Sequence, residues 1–206
     1  MDTSHEHFQN SGTDASNEQR EQAPWRLFAA VPLPAEIKQR LDAWCREQRG
    51  RLKFQKWVFP EDYHITVQFL GDVAPPAVPG IEQALHAAAA ATAPFELGLS
   101  GTGIFGRPES PRVLWAAVTG ERDKLAHLHE TVVSALEPLG FVPEQRPYSP
   151  HVTLARKSAH GASFDGSILD QPSDFGVWQA DSVVLYRTRM GRQPMYEAVA
   201  QVRFGI

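Results

Sequence analysis

His64-Ile65-Thr66-Val67 and His151-Val152-Thr153-Leu154 are two copies of one pattern, in which histidine and threonine alternate with aliphatic residues. Successive side chains of a β-strand point to opposite faces, so the pattern predicts two strands that each carry an imidazole and a hydroxyl on one face. The aliphatic residues then face the core. Two such strands side by side would surround one pocket with two histidines and two threonines, a set suited to acid–base chemistry on a phosphate.

The chain around the two motifs is also repeated. Each half is predicted to run strand, helix, loop and motif strand, and an aromatic residue precedes each motif histidine by 36 positions, Phe28 before His64 and Trp115 before His151. Duplicated units commonly pack about a pseudo-twofold axis. We therefore predict an α+β fold in which two small antiparallel sheets form a central cleft, with helices packed outside.

The composition of the chain changes near residue 25. Residues 1–24 are polar, lack aliphatic periodicity and carry five acidic residues against one arginine, which accounts for the whole formal net charge of −4. This segment is predicted to be a disordered tail. Residues 25–206 are predicted to form a single domain of two structural halves, about 25–75 plus the C-terminal strands, and about 95–160.

The remaining bulk properties restrict the classes of function. The predicted domain has no net charge, which argues against broad, charge-driven binding along a nucleic-acid backbone but allows recognition of a single phosphate or a strand end. The lone Cys45 excludes an internal disulfide and indicates a reducing compartment, so we expect the protein in the cytoplasm. We find no apolar run long enough to span a membrane and no signal peptide.

A glycine-rich segment resembles a dinucleotide-binding loop in spacing only. Gly101-Thr102-Gly103-Ile104-Phe105-Gly106 is followed by Pro108 and Pro111 and not by a helical pattern. Because that fingerprint requires a helix that begins within the glycines, we predict an ordinary loop here.

The two motifs contain the groups that phosphodiester hydrolysis needs. Free histidine has a pKa of about 6.5, so one imidazole can act as a base while the other acts as an acid. The threonine hydroxyls can donate hydrogen bonds to the phosphate oxygens. A single His-x-Thr is more simply a strand fragment, but two copies at equivalent places favour function. We expect neither a metal nor a cofactor.

The segments around the motifs resemble a known family. His64-Ile-Thr-Val-Gln-Phe-Leu-Gly71 and Ser149-Pro-His-Val-Thr-Leu-Ala-Arg156 are similar to the paired signatures of the 2H phosphoesterase superfamily. Within it, the chain most resembles the RNA 2′,3′-cyclic phosphodiesterases, long called the 2′-5′ RNA ligase family. The resemblance extends over residues from about 25 to 206 and implies the duplicated, pseudo-twofold 2H phosphoesterase fold.

The resemblance also implies an activity and roles for five residues. The activity is metal-independent hydrolysis of RNA or nucleotide 2′,3′-cyclic phosphate ends to 2′-phosphomonoesters, together with a weak, ATP-independent 2′-5′ RNA ligase activity. His64 matches the proton donor and His151 the proton acceptor. Thr66, Thr153 and Arg156 match residues that bind the substrate phosphate.

Several alternatives stay open at the level of sequence. The donor and acceptor roles of the two histidines can be exchanged, because a pseudo-symmetric site looks alike from both sides. Tyr148 can stack on a nucleobase or pack in the core. The pocket can bind a nucleotide or RNA end without turnover, or act on 2′-5′ oligonucleotides. We expect a monomer without an obligate protein partner or a membrane.

Overall fold

Strands and helices follow one another in the order that a duplicated α+β chain predicts. The computed structural model describes residues 23–159 and 164–205, so nearly all of the predicted tail lies outside the described residues. The strands are β1 (Trp25–Pro32), β2 (Phe54–Trp57), β3 (His64–Val73), β4 (Phe95–Arg107), β5 (Ser110–Gly120), β6 (His151–Ser158), β7 (Asp174–Ala180), β8 (Ser182–Thr188) and β9 (Tyr196–Arg203). The helices are α1 (Ala35–Gln48), α2 (Val78–Ala90) and α3 (Arg122–Leu136).

The strands form two antiparallel sheets, as predicted. The first has the order β3-β1-β8-β9 and the second the order β2-β6-β5-β4-β7. Each sheet therefore contains one motif strand, β3 or β6, and the strand from the same half that pairs with it. The C-terminal strands β8 and β9 belong to the first sheet, because β8 pairs with β1.

The duplication includes one irregularity that occurs at the same place in both halves. In the first sheet the register slips between Ala29↔Gln68 and Ala30↔Thr66. In the second it slips between Leu114↔Ala155 and Trp115↔Thr153. Each motif strand thus carries a bulge immediately after its threonine, and bulges of this kind redirect the side chains that follow. The register makes Ala30, and not Phe28, the backbone equivalent of Trp115, so the equal spacing of the two aromatic residues does not mark equivalent positions.

The helices pack against the sheets, and two of the three contact the sheet of the other half. Helix α1, which follows β1, packs against β7 of the second sheet, where Trp44 and Phe175 meet edge to face at 5.9 Å. Helix α3, which follows β5, packs against β3 of the first sheet. Cys45 lies in the buried stripe of α1, and burial raises the pKa of its thiol to about 12, which favours a packing role over a nucleophilic one.

The first motif strand begins at His64, because Pro60–Asp62 forms a 3₁₀ turn after the separate short strand β2. One sequence prediction of local structure was wrong. The segment from Gly101 to Gly106 was expected to be a loop, but it lies within β4.

Gly103 shows why a glycine-rich segment is a strand here. It is the partner of Trp115 across β4 and β5, and the indole ring lies directly over it. A Cβ atom on this glycine would lie 2.2 Å from the ring. The glycine therefore leaves space for the Trp115 ring on the sheet face that also carries Thr153.

The residue after the bulge of the first motif strand, Gln68, places an amide group in the core. Gln68 is only 4% exposed, and neither atom of its amide has a hydrogen-bond partner among the described residues. Its equivalent in the second motif is Ala155, which is fully buried and apolar. An unpaired buried polar group costs about 1–3 kcal/mol, so Gln68 reduces the stability of the fold.

Replacement of this amide by an apolar group of similar length should therefore stabilise the protein. We expect Gln68→Met to increase the free energy of unfolding by about 1 kcal/mol, measured by urea denaturation. Gln39→Met, at an exposed position of α1, is the control and should change it little. A loss of stability in Gln68→Met alone would show that the amide is paired in solution.

Candidate active site

The two motif strands meet in the cleft between the sheets. Strands β3 and β6 lie against each other, and the Tyr148 hydroxyl, just before β6, donates a hydrogen bond of 3.0 Å to the Thr66 carbonyl oxygen. The four motif residues with polar side chains are all half-buried, whereas the aliphatic residues between them are buried. The alternation predicted from the sequence is therefore present in both strands.

Each motif histidine is held by the same local hydrogen bond. The distance from His64 Nδ1 to the Asp62 carbonyl oxygen is 2.7 Å, and the distance from His151 Nδ1 to the Ser149 carbonyl oxygen is also 2.7 Å. A carbonyl oxygen only accepts, so Nδ1 carries the proton in both rings. When the rings are neutral, both Nε2 atoms then have a free lone pair. The Thr66 hydroxyl donates to that of His64, at 3.1 Å.

The two imidazoles differ in their aromatic surroundings. The His64 ring lies among Phe28, Tyr196 and Tyr186, with ring-centre distances of 4.8, 5.1 and 6.1 Å. The His151 ring meets the Phe105 ring edge to face, with ring centres 4.9 Å apart, and the centre of the Trp115 ring lies at 6.4 Å. His64 is thus enclosed on more sides than His151.

Burial has a direct electrostatic consequence for both rings. It lowers the pKa of His64 to about 4, against the opposing effect of the hydrogen bond to Asp62. The positive charges of Arg156, Lys38 and His151 lower it further. The pKa of His151 is also lowered, first by burial and then by Arg156. Both imidazoles are therefore neutral at pH 7 in the free protein.

The positive charge of Arg156 lowers the pKa of both motif histidines, so its guanidinium lies near enough to both rings to affect them. Burial raises the pKa of Tyr196, and the charge of Arg156 partly offsets that rise. In the sheet, Arg156 is directly opposite Lys56 of β2, and neither side chain forms an ion pair with a carboxylate of the described residues. Like charges directly opposite each other are destabilising, so this edge of the cleft favours an anion.

Tyr148 has contacts on two sides. One face of its ring stacks on His129 of α3, with ring centres 4.0 Å apart, and its hydroxyl holds the Thr66 carbonyl oxygen. His129 Nδ1 in turn lies 2.8 Å from the carbonyl oxygen of Val67, which follows Thr66 and is the extra residue of the bulge. These contacts show that Tyr148 has a packing role. Stacking of a nucleobase on the ring face opposite His129 stays a prediction.

Several residues that surround the motif histidines were not predicted from the sequence. Phe105 lies in the segment that was expected to be a loop, and Tyr186 and Tyr196 lie on the distant C-terminal strands. Asp62 could have been noticed, because it stands two positions before His64, as Ser149 stands before His151. The described residues contain no group of three or more potential metal ligands, and none of their helices is long and apolar enough to cross a bilayer.

Comparison with known sequences identifies the family. The sequence pattern of the 2′-5′ RNA ligase superfamily matches residues 32–192, which include both motifs. The chain belongs to this superfamily. The sequence resemblance to the family is thereby confirmed.

Two relatives within the superfamily are RNA 2′,3′-cyclic phosphodiesterases. The protein from Geobacillus stearothermophilus is 41% identical over 174 residues, which are 84% of this chain and 55% of that protein. The protein from Bacillus subtilis is 31% identical over 172 residues, which are 84% of this chain and 92% of that one. This chain therefore spans about half the length of the first relative and nearly all of the second.

Two solved structures share the fold of this chain. A protein from Thermus thermophilus superposes with a TM-score of 0.74 and 29% identity, over 87% of this chain and 97% of that one. Escherichia coli LigT, solved with 3′-AMP, superposes with a TM-score of 0.73 over 88% of this chain and 98% of that one. At 23% identity, the likeness to LigT concerns the fold alone.

The lowered pKa of His64 predicts a titration and its effect on stability. We expect the imidazole signals of His64 in NMR spectra to titrate near pH 4, and inorganic phosphate to raise that midpoint, because an anion favours the imidazolium. Between pH 6.5 and 4 the unfolded chain binds this proton and the folded one does not. Stability should therefore fall as the pH falls through this window, by about 1.4 kcal/mol per pH unit for one such group.

The exposed His86 of α2 provides the reference signal for this titration, because phosphate bound in the cleft should not affect a ring outside it. The His86 signal should be the same with and without phosphate. A midpoint of His64 at or above 6.5 in the free protein would contradict the burial argument. A midpoint that phosphate does not move would contradict an anion site between the motifs.

Proposed function

We propose that this protein hydrolyses RNA or nucleotide 2′,3′-cyclic phosphate ends to 2′-phosphomonoesters. The observation that carries this proposal is the matched pair of imidazoles, one from each half of the duplicated fold, whose Nδ1 atoms are fixed by backbone carbonyl groups 2.7 Å away. Their Nε2 atoms are the ones that exchange protons; once His64 is protonated at Nε2, the Thr66 hydroxyl no longer donates to that atom and can donate to the phosphate. The activity of the superfamily relatives supports the same reaction.

In the proposed reaction, His151 takes a proton from water as the water oxygen attacks phosphorus. The bond between phosphorus and the ribose O3′ breaks, and His64 donates its proton to that oxygen, which leaves a 3′-hydroxyl and a 2′-phosphate. Thr66 and Thr153 donate hydrogen bonds to the non-bridging oxygens, and Arg156 balances their negative charge. One proton is gained by His151 and one is lost by His64, so the reaction has no net change in protons. Exchange with solvent then returns both histidines to their starting protonation states.

The surroundings of the two rings support this division of roles. An imidazolium with a low pKa is a strong acid, and the enclosure of His64 by aromatic rings gives it that property. His151 has fewer aromatic neighbours, which leaves more room for a water molecule beside its ring. Binding of the anionic substrate supplies the field that keeps His64 protonated before the reaction.

The finer assignments belong to the same proposal. We take residues 25–206 as one catalytic domain that works as a monomer in the cytoplasm, with an RNA end as its partner. The 2′-5′ ligase activity is the formal reverse reaction at a 5′-hydroxyl terminus. It uses the same two histidines with their roles exchanged, so it requires no ATP.

The direct test is incubation with an RNA oligonucleotide that ends in a 2′,3′-cyclic phosphate, in the presence of EDTA, with the products resolved by phosphorus NMR. We expect a 2′-phosphate. His64→Ala and His151→Ala should each reduce turnover by about 100-fold to 10,000-fold, because each removes an acid or a base. His86→Ala, at an exposed position of α2, is the control.

Each other outcome has a distinct meaning. A 3′-phosphate would keep the histidine pair but exchange the oxygen that leaves. Binding of the RNA end without turnover would favour the binding-module alternative, and cleavage of 2′-5′ oligonucleotides alone would favour that substrate class. Full turnover in either histidine variant would refute the mechanism.

The pH dependence gives a second, independent prediction. In the free enzyme one imidazole must be charged and the other neutral, so kcat/KM peaks between their two pKa values. Because both values are lowered, we expect a bell-shaped profile with its maximum below pH 6.5 and an acid limb near pH 4. Initial rates from pH 3.5 to 8.5 measure it. A maximum above pH 7 would contradict the lowered pKa values.

A further inference from the structure

Asp62 combines two features that the reaction above does not use. Its side chain is only 5% exposed, although carboxylates are seldom buried without a partner. Its carboxylate oxygens accept hydrogen bonds from the backbone N–H of Met195, at 2.9 and 3.0 Å, and of Tyr196, at 2.9 Å. These donors lie at the start of β9, far from Asp62 in sequence, so the carboxylate ties two distant segments together.

The main chain of the same residue holds the catalytic ring. The Asp62 carbonyl oxygen accepts the Nδ1–H of His64. The segment that the carboxylate holds carries the Tyr196 ring, which meets the His64 ring edge to face, with ring centres 5.1 Å apart. Asp62 thus acts on His64 in two ways. Its carbonyl oxygen binds the imidazole, and its carboxylate holds the segment whose Tyr196 ring packs against that imidazole.

The second motif shows that this carboxylate is not a requirement of the fold. Ser149 occupies the equivalent position, two residues before His151, and its carbonyl oxygen makes the equivalent hydrogen bond. Ser149 is exposed, whereas Asp62 is buried. The local geometry of a motif strand therefore forms without a buried acid, and the carboxylate of Asp62 is an additional feature of the first half.

We propose that Asp62 is a positioning residue for His64: its carboxylate holds the start of β9 so that Tyr196 encloses the imidazole and restricts its orientation and hydration. This inference rests on the function proposed above, because it concerns the ring that transfers the proton. A carboxylate that only stabilised the β8–β9 turn would leave the state of the His64 ring unchanged when removed.

Two substitutions at this position separate the contributions of the carboxylate. In Asp62→Asn, one side-chain oxygen remains, and that atom can still accept from both Met195 and Tyr196. Asp62→Ala removes every side-chain acceptor but leaves the carbonyl group. Asp72→Asn, which removes an exposed carboxylate from the same motif strand, is the matched control.

The kinetic expectation is a loss in kcat more than in KM. Small displacements of a catalytic group reduce rates by about tenfold to hundredfold, so we expect this loss in Asp62→Ala, a smaller loss in Asp62→Asn and wild-type rates in Asp72→Asn. The acid limb of kcat/KM should move to higher pH in Asp62→Ala, because water then reaches His64. The charges of Arg156, Lys38 and His151 that face this ring are still present in the variant.

Imidazole ¹⁵N spectra of the substrate-free protein provide a measurement that does not depend on turnover. In Asp62→Ala we expect the population of His64 protonated at Nδ1 to fall and its titration midpoint to rise, while the signals of His151 stay in place. Unchanged His151 signals also show that the variant is folded. If Asp62→Ala does not fold, the same shifts, smaller in size, are expected in Asp62→Asn.

The possible results separate this inference from the proposed function. Failure of the wild-type protein to open a 2′,3′-cyclic phosphate would refute the function. Wild-type turnover together with unchanged kcat, pH profile and His64 signals in the folded Asp62 variants would refute the positioning role alone. Loss of activity with unaltered His64 signals would also refute it, because the carboxylate would then act on something other than the ring.

Discussion

Side-chain alternation along β3 and β6 is the constraint on which the rest of the structure depends. Each strand supplies both the core and the cleft, since Ile65 and Val152 are buried while the histidines before them face the opposite side. A slip of one residue in the pairing of either strand would exchange the two faces, so burial of the aliphatic residues also fixes the direction of the imidazoles. Formation of the core therefore also fixes the arrangement of the polar side chains on the opposite faces of these strands.

The bulge that follows each threonine shows how the duplicated halves have diverged. The extra residue leaves a carbonyl group that needs a donor. In the first motif the side chain of His129 serves the Val67 carbonyl, and in the second the backbone N–H of Val58 serves that of Leu154. The exposed carbonyl group is therefore satisfied by a helix side chain in one half and by the backbone just after β2 in the other.

Divergence of the surroundings, and not of the motifs, distinguishes the two histidines. Both rings have the same backbone hydrogen bond, but His64 alone is enclosed by rings from the C-terminal strands. These strands belong to the first sheet because β8 pairs with β1. They are far from the motif in sequence, so the sequence did not predict that their rings contact His64. No local pattern marks Tyr196 as a neighbour of His64, just as no local pattern marks Gly103 as the position that admits the Trp115 ring.

The sequence by itself determined the α+β class, the duplication, the two sheets and the polar side chains of the cleft, because periodicity is a local property that short segments of chain express. It also predicted most helices and strands, and it failed at Gly101–Gly106, where a ring from another strand overrides the usual preference of glycine for loops. Only the tertiary structure decided the protonation state of each ring. Desolvation depends on which distant groups exclude water, and the chain brings Phe28, Tyr186 and Tyr196 to His64 only when it folds.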